Sequence, residues 1–174
     1  MQKQLQAQIE RLKQAGATYA DVRWYPVEET SELVMWNGNL KNAAASRQSG
    51  LGIRVLYRGA WGFSASSDLS NLSALFDQAL SNARIAAQRV SFPVRLAEKD
   101  AIQASFNSPN RIDPFGVPLT DKIAFMQVMD EKLNRPGVMQ RICALTFVRK
   151  QIVFFDSEGS EIEKNIIEVF PEIQ

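Results

Sequence analysis

The chain has 174 residues, of which 45% are hydrophobic and 22% charged. That is enough apolar material for a packed core, which excludes a disordered tail or a collagen-like repeat. Twenty basic residues against 19 acidic ones leave a net charge of +1, with ten basic and seven acidic before Val90 and ten and twelve after it. Neither half is a basic module for nucleic acid or anionic lipid, so no direct partner of either kind is expected.

In chain order, apolar residues first recur at Leu5, Ile9 and Leu12, the spacing of a helix over residues 4–15 that Gly16 stops. Ala20, Val22 and Trp24 then alternate with polar neighbours, which predicts a half-buried strand ending at Pro26 as an edge or bulge. A second strand is predicted over 31–36, and Asn37-Gly38 then offers the two positive-φ positions of a tight hairpin into a third over 40–49. Gly50-x-Gly52 reads as a bulge or tight bend before a strand over 53–57. Arg58-Gly59 makes a turn, and another strand covers 60–66. From Ser70 to Ala87 the period is again helical, with Asp68 or Ser70 as the N-cap.

Pro93, Pro109, Pro114 and Pro118 punctuate residues 91–118, which reads as a connector holding short strands at 94–96 and 101–106. A helix resumes after Thr120 and ends before Pro136-Gly137. Strands follow over 138–148, across a turn at Arg149-Lys150 over 151–155, and over 161–170. The expected fold class is α+β: an antiparallel sheet with helices packed on one face, followed by the start of a second α+β unit. The domains are expected at 1–90, 91–118 (connector) and 119–174. With no closing helix and no obvious partner for the outer edge of the last strand, the chain is expected to be a fragment or N-terminal module of a longer protein.

The chemistry-bearing residues exclude more than they supply. Histidine is absent, which removes Ser-His-Asp and Cys-His nucleophiles and any H-E-x-x-H zinc site. Cys143 is the one cysteine; in an apolar alternating stretch it reads as a small buried hydrophobe, with no disulfide to form. Gly50-x-Gly52 lacks the third glycine of a dinucleotide loop and precedes a strand, and residues 157–160 read as a hairpin tip. Glu28-Glu29 and Asp130-Glu131 are neighbours that point apart on a strand or lie solvated near a helix end, so no carboxylate pair is expected to converge on a substrate atom. Arginines and aromatics interleave at 23–25 and 54–61; the reading preferred for Trp24, Tyr57, Trp61 and Phe63 is core packing over base stacking. No leader-like apolar run and no stretch of roughly 18 apolar residues occurs, so a soluble, cytoplasmic protein is expected.

Residues 50–67, GLGIRVLYRGAWGFSASS, resemble a signature of the TldD/PmbA family, described as metallopeptidases or modulators of DNA gyrase. Residues 15–23 (AGATYADVR), 36–40 (WNGNL), 113–123 (DPFGVPLTDKI) and 157–160 (SEGS) extend the likeness, and Trp61-Gly62-Phe63 and Asp113-Pro114 resemble the TldD side. The resemblance implies the N-terminal region of a TldD-like protein, helping to shape a cavity that admits unfolded peptide, in subunits that pair as dimers. It also implies that catalysis lies elsewhere, on a zinc held by an H-E-x-x-x-H helix and a later cysteine. With no histidine here, and Cys143 too early, none of those ligands carries over. No catalytic or metal-binding residue is therefore expected in this chain; Arg47, Arg54 and Trp61 are the candidates for substrate contact. The alternatives are a regulatory interaction module without peptidase activity and an independent enzyme built on carboxylates.

Overall fold

Residues 19–36 form one unbroken strand, although Pro26 lies within it. The computed structural model describes all 174 residues as three helices and six strands. They are α1 (Gln2–Gln14), β1 (Tyr19–Trp36), β2 (Asn39–Tyr57), β3 (Ala60–Ser66), α2 (Leu72–Ala87), β4 (Gln103–Asn107), α3 (Leu119–Leu133), β5 (Ile142–Asp156) and β6 (Glu161–Ile173). The strands form one mostly antiparallel sheet in the order β3-β2-β1-β5-β6-β4, so the class is α+β. β6 therefore has neighbours on both sides, β5 and β4.

Two compact units divide the chain, and both draw on strands from either side of the Pro-rich segment. One comprises Met1–Pro26, Gln48–Phe106 and Gln151–Lys164; the other comprises Val27–Arg47, Asn107–Lys150 and Asn165–Gln174. In the first, Leu5, Ile9 and Leu12 of α1 and Phe76, Ala79, Leu80 and Ala83 of α2 pack with Ala20, Val22, Ile53, Val55, Val153 and Phe155 from alternate strand positions. Fully burying each of the larger side chains contributes about 1.5–3 kcal/mol. α2 lies so near β3 that a Cβ on Gly62 would stand 2.2 Å from the Ala79 carbonyl oxygen. In the second unit, Met126 of α3 meets Leu33, Met35, Cys143 and Phe147, with Phe115, Ile123 and Leu133 against them.

Several local expectations are corrected. The strands expected to break at Pro26 and at Gly50-x-Gly52 are continuous, as β1 and β2. Neither Gly50 nor Gly52 has a positive φ; Gly52 instead leaves room for the Phe63 ring, 3.6 Å from where its Cβ would stand. The turn expected at Arg149-Lys150 is mid-strand: these side chains reach sideways to Glu29, Asp113 and Glu168 as ion pairs, a role that charge alone does not distinguish from a turn. No strand forms at 94–96, and the short strand expected at 101–106 is β4. Asn71 caps α2 by accepting from the Ala74 amide at 3.1 Å, while Asp68 accepts from Ser70 in the turn just before. Both tight turns hold, with φ of 46° and 76° at Asn37-Gly38 and 49° and 79° at Arg58-Gly59.

Candidate functional site

Arg54 and Trp61 come together, and Asp21 and Tyr19 join them. Alternation along β1 puts Ala20 and Val22 into the core and aims Asp21 at the opposite sheet face, where Arg54 of β2 meets it. Arg54 Nε donates to both carboxylate oxygens at 3.1 and 2.9 Å, and Nη2 donates to Oδ2 at 2.6 Å. The guanidinium lies 5.2 Å from the centre of the Trp61 ring, which Tyr19 meets edge-on at 5.9 Å. Asp21 is fully buried, whereas the Arg54 side chain is 41% exposed. The hydrogen bond to Asp21 raises the Arg54 pKa; burial, then the Asp21 charge, pushes the Tyr19 phenol well above its ordinary range. This is a charge-neutral clamp between strands, with Trp61 as its lid. Arg47 takes no part: it is exposed on β2, belongs to the second unit and has no polar partner.

A second cluster of the same unit organises the turn at 157–160. Asp156 Oδ1 accepts from the Glu158 and Ser160 amides at 2.9 and 2.8 Å, and Lys99 Nζ donates to Asp156 Oδ2 at 2.6 Å and to Ser160 Oγ at 3.1 Å. Burial works against the Asp156 charge, but the Lys99 hydrogen bond and then the Ser160 amide outweigh it and hold the carboxyl below its usual range. The turn's amides are spent on this internal carboxylate and do not form an anion nest. An open hollow of about 490 Å³ lies between this turn and Gln6, Glu10 and Lys13 of α1.

In the second unit Asp130, 4% exposed, accepts from Arg141 Nε and Nη2 at 3.2 and 3.0 Å. Burial, then the Asp130 charge, pushes the nearby Cys143 thiol up, away from the reactive thiolate. Each of the three buried carboxylates thus has its own cation, and no two converge as an acid–base pair. No three Cys, Asp or Glu side chains are gathered where they would hold a metal ion, so the residues present do not fit the zinc centre that the resemblance implies. Sequence reading missed Asp21, Lys99, Asp130 and Asp156 as polar anchors. The one available signal was a carboxylate set inside an apolar alternation, as in Ala20-Asp21-Val22.

Comparison with known proteins adds a family and a fold. Residues 20–83 match the family domain described as PmbA/TldA metallopeptidase domain 1. The chain is 27% identical over 165 residues to a protein named metalloprotease from Methanocaldococcus jannaschii, covering 91% of this chain and 35% of that one. It is likewise 27% identical over 145 residues to a metalloprotease from Methanothermobacter thermautotrophicus, covering 83% and 31%. The chain thus spans about a third of the length of these relatives. Among solved structures, a candidate modulator of a DNA gyrase from Thermotoga maritima superimposes with a TM-score of 0.74 at 15% identity, covering 98% of this chain and 38% of that one. TldE from Thermococcus kodakarensis gives 0.62 at 13% identity, covering 97% and 38%.

Proposed function

We propose that the chain, a TldD/PmbA family member through the domain 1 that its residues 20–83 match, is a non-catalytic part of a TldD-like zinc metallopeptidase that acts on unfolded peptides. The observation that carries this reading is a pairing of facts: the match to a metallopeptidase domain, and a residue set with no histidine and no gathered metal ligands. The chain supplies architecture. It shapes the substrate cavity or a subunit contact, as a homodimer or with a second TldD/PmbA-type subunit in the cytoplasm, while other segments bring the metal and its base. A sheet suits that task, because backbone hydrogen bonds take up extended polypeptide with little regard to sequence.

The test measures affinity and cleavage in one sample, using a labelled unfolded polypeptide with and without added zinc. The proposal expects binding with no new peptide termini in either case. Zinc-dependent, chelator-sensitive cleavage by the 174-residue chain would overturn it. An interaction module of the gyrase-modulator type is the alternative, and for it the same sample shows no affinity for unfolded polypeptide.

A further inference from the structure

The turn between β2 and β3 is crossed by the Pro-rich segment. A Cβ on Gly59 would stand 2.4 Å from the Cβ of Pro93, and the Gly59 carbonyl accepts from the Val94 amide at 2.9 Å. Farther along, Lys99 Nζ donates to Asp156 at 2.6 Å and lies 3.2 Å from Glu158. Ser157 makes two hydrogen bonds to the Ala20 backbone, at 2.8 and 3.0 Å, which fix the hairpin tip beside the start of β1. Segment, turn and tip together border an open hollow of about 410 Å³, floored by Thr18, Tyr19 and Leu56. Small-molecule sites occupy about 300–1,000 Å³, with apolar walls and a few polar groups.

Three charged side chains line this hollow. Arg58 precedes Gly59 and Arg95 follows Val94, so the two stand on either side of the hydrogen bond that ties segment to turn; neither has an ion-pair partner. Glu158 comes from the hairpin tip and holds only the longer of the two Lys99 contacts. The neighbouring charges are already paired, Asp156 with Lys99 and Asp21 with Arg54, while Glu98 and Asp100 do not line the hollow. Leu56, Val94 and Leu96 add apolar surface between the charges.

From this arrangement we propose that the hollow binds a free α-amino acid with an apolar side chain. Its carboxylate meets the Arg58 and Arg95 guanidinium groups, which suit a planar two-oxygen acceptor. Its ammonium meets Glu158, and its side chain covers Leu56, Val94 and Leu96. The charge set selects this ligand. Glu158 opposes a doubly charged anion such as phosphate, which also gains nothing from apolar walls, and an amine without a carboxylate leaves both arginines unmet. The site uses no metal and lies within the first unit, so the proposal goes beyond the metallopeptidase reading and does not depend on it.

Calorimetric titration of the 174-residue chain with L-leucine, leucinamide and isocaproate tests it, since the second ligand lacks the carboxylate and the third the amine. The proposal expects saturable leucine binding and affinity about tenfold weaker for each analogue, the worth of one hydrogen bond to a charged group. In the Arg58→Gln/Arg95→Gln variant, leucine and leucinamide should bind alike. In Glu158→Gln, leucine and isocaproate should bind alike. All three positions are exposed, and a preference lost for one analogue but kept for the other is not an effect of unfolding. Leucine should also slow hydrogen exchange at residues 94–96.

No saturable leucine binding at millimolar concentration, equal affinity for the three ligands, or unaltered preferences in the variants would each overturn the proposal. So would tighter binding of inorganic phosphate than of leucine. A chain that binds leucine but no unfolded polypeptide contradicts the functional reading and leaves this one standing; the converse sinks this one alone.

Discussion

Removing the Arg54 guanidinium strands a carboxylate that water does not reach, since Asp21 is fully buried and accepts three hydrogen bonds from that one side chain. Arg54→Ala should destabilise the chain by about 2–3 kcal/mol; half-exposure of the arginine places the loss at the low end for a broken buried pair. Asp21→Leu with Arg54→Met should recover most of it, and chemical denaturation of the three proteins measures the difference. Acid tests the Lys99–Asp156 pair. The folded pKa of Asp156 is depressed, so its contribution is present above the unfolded carboxylate value, about 3.9, and is lost as pH falls through the folded one. Asp156→Asn should flatten the stability profile below about pH 4 while keeping an acceptor for the turn amides. On the alkaline side, Lys99 and Tyr19 have raised folded values, so each contributes below its unfolded pKa and fades as pH rises through the folded one. Tyr19→Phe should remove the late phenolate step from an ultraviolet pH titration.

α2 and β3 meet through a glycine, and that contact is the most substitution-sensitive feature between elements. A methyl at Gly62 would stand 2.2, 2.3 and 2.8 Å from backbone atoms of Ala79 and Ala83, so the helix must move as a body. Gly62→Ala should cost about 3 kcal/mol in stability, by overpacking. Gly137→Ala, with a φ of 90° and nothing within 4 Å, should cost about 1 kcal/mol through backbone strain alone. Asn71→Ala removes the one side-chain cap of α2, worth about 1 kcal/mol. The elements themselves were largely legible. Helical spacing located all three helices, and Asn37-Gly38 and Arg58-Gly59 announced turns that their positive φ values bear out. The two strand breaks expected in β1 and β2 share one cause: Pro26, Gly50 and Gly52 carry the chemistry of chain breaks, yet each sits in a strand held by its neighbours, and local propensity does not register those. The buried clamp was legible only in half, because Arg54 and Trp61 stand in a recognisable stretch while Asp21 reaches them from 33 residues away.

At the scale of the molecule, the sequence's most informative property is a missing residue type. The chain has no histidine, and each of its three buried carboxylates is paired with a cation. The likeness to the TldD/PmbA family was legible because turns, glycines and aromatics specify a fold, whereas substrate contacts leave no such pattern in a single sequence. The division of labour is the central claim, and native mass spectrometry tests it most directly. The 174-residue chain is mixed with zinc and a reduced, carboxymethylated polypeptide, and the masses that persist are read. The account predicts a complex with the intact polypeptide and no retained zinc. One zinc retained per chain, accompanied by shortened polypeptide, would contradict it.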